Sequence, residues 1–312
     1  MGSSDLTWPA SDDPVTLRER RRQSDFRERV LGLPAGRDRG GRVLGSLLDE
    51  ADGDRNLLSP EAARYARVRA GVVGREGGRL DPSRLFTDML SSMPLAFSVF
   101  GHLRAHRVAA AAVLSRLLGM SVTGFARVDV GGRVVDGIEC EWAPHPHQHL
   151  QDGSAFDAVV VARVADGTSL LLAVETKYVD SFSRDPGPEK DRRRPEKDDR
   201  YRRACESFGM AAGAFDRLGE YPTRQLLRNT LLTESVRRGG SDGGPTFHRA
   251  ATLVLARDAD DGARDAVQRL TADRGAMPTR VLFRGHGDLA DAAAAVPDTR
   301  DWATSFRRRY LP

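Results

Sequence analysis

Two apolar runs separated by Asp166-Gly167, within residues 156–178, restrict the fold of this chain more than any other stretch. An Asp-Gly pair between apolar runs is a strong hairpin signal, because the tight turns that join paired strands need residues tolerant of positive φ. The first run, Asp157 to Val164, is rich in β-branched residues, and the second extends from Ser169 to Tyr178. Side chains alternate along a strand, so Glu175 and Lys177 share a face with Leu171 and Ala173, while Leu170, Leu172, Val174 and Thr176 take the other. Pairing about the turn returns the end of the second strand to the start of the first, beside Asp157. Charges set into an apolar hairpin are costly unless they are paired or bind a metal. The pattern therefore predicts two carboxylates and an ammonium gathered at one edge of a core sheet.

An Asp, 17 intervening residues, then Glu-Thr-Lys at the end of an apolar strand resembles the active site of the PD-(D/E)xK nuclease superfamily. Phe156 stands where that motif usually has Pro. The surrounding stretches Ser-Ser-Met-Pro-Leu-Ala-Phe-Ser-Val-Phe-Gly (91–101), Glu-Trp-Ala-Pro (141–144) and Glu-Thr-Lys-Tyr (175–178) resemble a bacterial subgroup of restriction-endonuclease-like proteins. Met93 and Ser98 replace the Gln and Asn usual there.

The resemblance covers about residues 85–285 and implies a restriction-endonuclease-like core of mixed α/β (α+β) class, with the order α-β-β-β-α-β. A central mixed sheet would be flanked by helices, and a mostly helical extension would precede it. The implied activity is a metal-dependent endonuclease with Asp157, Glu175 and Lys177 at its centre, using Mg²⁺ or Mn²⁺. The superfamily often adds one more acidic ligand from the first core helix or strand. Helix 94–119 contains no Asp or Glu and cannot supply it; Glu141, which matches the Glu-aromatic-x-Pro pattern of the resemblance, is expected in that role, as a catalytic and metal-binding residue, with Glu139 as the fallback. Gln225, Arg228 and Tyr178 are expected near the substrate. The implied partner is nucleic acid, double-stranded DNA above single strands, and the superfamily allows a homodimer. Defence against foreign DNA and DNA repair are both compatible roles. Two other readings remain open: the same fold used as a catalytically silent binding module, or a plain ion pair at a strand end, which would leave Asp157 without a reason.

Composition narrows the class further. The 312 residues carry 48 basic and 44 acidic side chains, a net +4 that does not by itself call for nucleic acid. Arginine suits phosphate contact, yet the arginine-, alanine- and glycine-rich composition equally reflects a GC-rich coding sequence. Aromatic residues make up 6%, too few to suggest a stacking platform for single strands. No apolar run reaches the ~18–20 residues of a membrane span. No basic start leads into an apolar stretch, and Cys140 and Cys205 are the only cysteines, so a cytoplasmic protein without disulfides is expected.

Along the chain, residues 1–84 are read as the helical extension with a disordered start, and 85–312 as the nuclease-like domain. A charged helix is expected at 16–31, capped by Thr16 and solvated except along a thin stripe of Leu17, Phe26 and Val30. Short helices are expected at Val43–Glu50, at Pro60–Val68 after a Ser59 cap, and at 83–92. One long helix is expected at 94–119, then strands Val122–Val130 and Gly137–Trp142 around Gly131-Gly132. The charged stretch Val179–Asp199 is expected as an excursion. Helices follow at 200–217, 222–236, 260–274, 288–295 and 301–310, with strands at 250–256 and 280–284. His102 and His106 have the i, i+4 spacing of a ligand pair, but the zincin motif needs Glu directly after the first His and Leu103 is there. They are read as helix-surface or core-edge histidines, and His145, His147 and His149 as a surface loop near the active-site mouth.

Overall fold

Helix starts in this chain follow side chains able to take up free backbone N–H groups. The structure, a computed structural model, describes residues 6–78, 80–183 and 189–312. Residues 1–5 of the expected irregular start, Arg79 of an expected loop and 184–188 of the expected excursion lie outside the described residues. The first helix, α1 (Pro14–Phe26), is capped by Asp13, whose carboxylate accepts from Val15 N and Thr16 N. The sequence pointed to Thr16 as the cap. Asp13 takes the position because Pro14 after it needs no N–H partner at the first helical residue. A π-helical turn (Arg27–Leu31) extends α1. The helix expected near Val43–Glu50 is instead a small antiparallel pair, β1 (Gly36–Arg37) with β2 (Val43–Leu44), followed by a 3₁₀ turn at Glu50–Asn56. Ser59 caps α2 (Pro60–Arg75) as expected, and α3 (Pro82–Phe86) is capped by Asp81.

The helix expected at 94–119 is divided. It comprises α4 (Ser92–Ala96), a π-helical turn (Phe97–Gly101), α5 (His102–Ala105) and α6 (Arg107–Leu118). At His106 the backbone leaves helical geometry (φ −117°, ψ 59°), and its N–H bonds both the His102 and Leu103 carbonyls, tightening the last turn.

Residues Leu114–Glu175 and Ser181–Gly285 form one compact unit; Met1–Val113, Thr176–Asp180 and His286–Pro312 form the other. The expected division at residue 84 falls inside the latter. In the former, the strand expected at 122–130 breaks at Ala126 into β3 (Val122–Phe125) and β4 (Arg127–Val130). The second piece turns back on β5 (Arg133–Asp136) across Gly131-Gly132, both at positive φ. The chain continues through β6 (Ile138–Trp142), β7 (Phe156–Val164) and β8 (Ser169–Thr176). Helices α7 (Arg194–Phe208) and α8 (Ala214–Leu218) replace the expected single helix 200–217, which Gly209 interrupts at φ 84°. Then come α9 (Arg224–Arg237), β9 (Arg249–Ala256), α10 (Asp261–Asp273) and β10 (Arg280–Gly285).

Among the described residues the sheet has six strands in the order β10-β9-β8-β7-β3, with β6 also paired to β7. Both β3 and β6 run antiparallel to β7, while β9 and β10 are parallel and joined by α10, the crossover that parallel neighbours require. This is the mixed sheet flanked by helices that the resemblance implies. The β7–β8 hairpin closes as the sequence predicts: Gly167, at φ 82°, donates its N–H to Val164 O. Both strands are buried on both faces, which explains their nearly continuous apolar runs. On one face Val159, Val161, Leu171 and Ala173 pack with Leu232 and Val236 of α9. A further core joins α7, α9, α10 and β9 through Cys205, Leu226, Leu231, Val254 and Leu270.

The last helices, α11 (His286–Ala294) and α12 (Arg300–Tyr310), belong with the first segment. There the expectation of a solvated α1 is corrected, since Glu19, Gln23, Ser24 and Arg27 are all buried. Ser24 bonds the Arg20 carbonyl one turn back, whereas Glu19, Gln23 and Arg27 find partners farther away in sequence. Gln23 Nε2 donates to Tyr178 OH (2.7 Å), and Arg309 of α12 donates from Nε to Gln23 Oε1 (3.1 Å) and to Asn56 O and Oδ1 (2.6 Å each). Among the described residues no helix is long and apolar enough to cross a membrane.

Candidate active site

The pairing register decides where the sequence-predicted carboxylates stand. Ala158 pairs with Val174 across β7 and β8, so one step further Asp157 faces Glu175. Residues opposite one another in an antiparallel pair share a face, with Cβ atoms about 4.5–5.5 Å apart. On the other edge of β7, Cys140 pairs with Ala158 and Trp142 with Phe156, which sets Glu141 at the level of Asp157. Glu141, Asp157 and Glu175 thus occupy one level of three neighbouring strands. Glu141 adopts φ 47°, left-handed backbone that costs a non-glycine residue on the order of 1–3 kcal/mol. Such backbone re-aims a side chain relative to a regular strand residue, and strain of this kind gathers at functional sites. Glu139 pairs with Val159 and accepts from Asp136 N (3.4 Å), three residues back in the chain.

Glu175 is only 4% exposed. Two amides from α9 hold it: Gln225 Nε2 donates to Oε1 (2.6 Å) and Asn229 Nδ2 to Oε2 (2.7 Å). One helical turn separates these amides, so both reach the same face of the sheet. Gln225 was expected near the site; Asn229 was not, although the i, i+4 amide pair in a leucine-rich helix could have revealed it. Asn229 Oδ1 is itself buried with no hydrogen-bond partner among the described residues. Arg228, on the same helix, lies 3.8 Å from Asp152, whose carboxylate also accepts from Tyr201 OH (2.7 Å). The donors Asp157, Glu175 and Glu141 are all carboxylate oxygens, which fit a hard divalent cation better than a thiolate- or imidazole-seeking one.

Lys177 leaves the strand directly after Thr176 and is buried, at 6% exposure. Tyr178 next to it is fully buried, and its hydroxyl donates to Glu19 Oε2 (3.1 Å). Burial, reinforced by the Glu19 charge, pushes the Tyr178 phenol well above its usual range, so it stays protonated. Val179 and Asp180 line a cleft of about 1170 Å³ together with Arg20, Arg84, Asp88 and Ser91. In the same unit Ser98, in the stretch 91–101, is fully buried, its Oγ accepting from Leu58 N and its carbonyl from Trp302 Nε1.

The histidines divide differently from expectation. His145 precedes a 3₁₀ turn (Pro146–Gln148) and His147 lies within it, but His149 is buried rather than on a surface loop, with Nδ1 3.1 Å from Ser235 Oγ. His102 and His106 are joined by Glu61 of α2, a residue that no local sequence pattern links to them.

The family model described as the PD-(D/E)XK nuclease superfamily matches residues 10–312, which takes in the first segment as well as the sheet. No curated protein and no solved structure matches the chain.

Proposed function

The chain belongs to the PD-(D/E)XK nuclease superfamily, and from that premise we propose that it is a Mg²⁺- or Mn²⁺-dependent endonuclease that hydrolyses DNA phosphodiester bonds. The observation that carries the reading is the Asp157–Glu175 pair set by the hairpin register, with Glu141 at the same level and two α9 amides fixing Glu175. Asp157, Glu175 and Glu141 would hold the ion, which when bound would neutralise charge on the scissile phosphate and make a water molecule more acidic.

The chain's own residues supply the rest. Gln225 and Asn229 keep both Glu175 oxygens in fixed directions, so the ligand loses no orientation when substrate arrives. Lys177 sits one residue beyond Thr176 and carries the positive charge that would stabilise the phosphate as negative charge builds on it, or accept a proton from the attacking water. Tyr178, its hydroxyl committed to Glu19 and Gln23, anchors the backbone that presents Lys177 rather than touching substrate. Arg228 is a candidate for backbone phosphate contact, which would make affinity fall with salt. The low aromatic content favours a duplex over a stacked single strand. Cleavage of foreign or damaged DNA in the cytoplasm is the biological setting that accords with such an activity.

The test is incubation of the purified protein with plasmid DNA, linear duplex and RNA, in Mg²⁺, in Mn²⁺ and in EDTA. DNA should be cut in either metal and spared in EDTA, and Asp157→Ala should stop cutting. Parent-level cleavage by Asp157→Ala would overturn the site. Tight DNA binding with no cleavage in any metal would turn the reading into a silent binding module.

A further inference from the structure

We propose that Glu61, His102 and His106 form a second metal site, for a zinc-class divalent transition ion, built from residues different from the strand carboxylates. One ligand atom from each residue lies within 4.8 Å of the others. Atoms bound tetrahedrally to one ion at about 2.0–2.2 Å stand about 3.3–3.6 Å apart, so an ion would draw the three side chains together by up to about 1.5 Å.

The local fold explains how the three meet. Glu61 lies in the first turn of α2, directly after Ser59-Pro60. His102 opens α5 after the π-helical turn, and the break at His106 ends it. Gly101 lets the two segments approach: a Cβ there would stand 3.1 Å from Ala62 Cα. A side chain there would ask the start of α2 to give way by a few tenths of an ångström. The imidazoles are 4.5 Å apart between centroids, and His102 is held flat against Trp302 (5.2 Å, 11°).

A second observation points to a ligand. His102 is 6% exposed; its Nδ1 lies 3.4 Å from Ser59 Oγ, and its buried Nε2 has no hydrogen-bond partner among the described residues. A hydrogen bond on one ring nitrogen that leaves the other ring nitrogen's lone pair unused is the usual state of a metal-binding histidine. Glu61 and His106 are half-buried, which leaves a route for the ion, and the Arg64–Glu61 pair at 3.2 Å is solvent-exposed and weak enough to yield. Two imidazoles and one carboxylate match the ligand set of three-residue zinc sites. Bound there, the ion would tie the start of α2 to the α5–α6 break.

The experiment uses the full chain, stripped of metal with a chelator and titrated with Co²⁺ in excess Mg²⁺. The expected result is one equivalent of Co²⁺ with ligand-field absorption bands, displaced by Zn²⁺. Those bands should be lost in Glu61→Gln and His106→Ala and retained in Asp157→Asn. Zn²⁺ should also raise the melting temperature of the parent and leave that of Glu61→Gln and His106→Ala unmoved, because an ion that binds only the native state stabilises it. Both substituted positions are half-buried, so these variants are expected to fold; circular dichroism checks this. Absent bands in the parent, or bands that survive in both variants, would overturn the proposal, as would bands lost in Asp157→Asn alone.

Discussion

A carboxylate only 4% exposed between apolar strands must have its desolvation offset by partners, and Glu175 obtains two of them from one helix. The pair Asp157–Glu175 could be read from sequence because the Asp166-Gly167 turn fixes the register, and register fixes who faces whom. Asn229 was legible only as the i, i+4 companion of Gln225 in a leucine-rich helix; its target, Glu175, arrives from a strand far back in the chain. Glu61 was invisible beside His102 and His106 for the same reason, while Gly101, which permits their approach, reads in sequence as an ordinary helix residue. If the amides orient a metal ligand, Gln225→Ala and Asn229→Ala should each lower cleavage about 10- to 100-fold. A Mg²⁺ titration of the cleavage rate should show the midpoint moving to higher metal in both; an unchanged midpoint in both would remove that role.

Among elements, the hairpin and α9 were the most legible, because each carries its own period and its own stop signals. Helix α1 was legible as a helix but not as a buried one. Its thin apolar stripe gave no sign that Glu19 and Gln23 would be covered, since what they bind is Tyr178 and Arg309, side chains brought in from other elements. The start of α1 was displaced because Asp13 before Pro14 is a better cap than Thr16 inside the first turn. Asp13→Ala should therefore cost about 0.5–2 kcal/mol in a urea melt, and Thr16→Ala less than half as much. Equal losses would contradict the cap assignment. The long helix at 94–119 was wrong in its continuity: alanine-rich periodicity persists through 105–112, but the π-helical turn and the break at His106 answer to packing against α2, which periodicity does not encode.

At the scale of the molecule, the α/β class and the mixed sheet followed from the order of strands and helices, whereas the place of the first 84 residues did not. The family match begins at residue 10, and the first segment shares its compact unit with residues 176–180 and the last two helices. Arg309, fully buried, donates its guanidinium hydrogen bonds to Gln23 and Asn56, both in that first segment. A chain beginning at residue 85 would leave that guanidinium and the Tyr178 hydroxyl without these partners, so it should be insoluble or melt far below the full chain. Differential scanning fluorimetry of the two proteins checks this, and equal melting temperatures would show that the first segment is dispensable.

The most direct test of the central claim is single-turnover cleavage of duplex DNA in saturating Mg²⁺ by the parent and by Lys177→Met, which keeps the bulk of the side chain and removes its charge. A group that stabilises charge in the transition state is worth about 10²–10³ in rate, so the variant should bind DNA within a few-fold of the parent and cut it at least a hundredfold more slowly. Cleavage by Lys177→Met at the parent's rate would contradict the account.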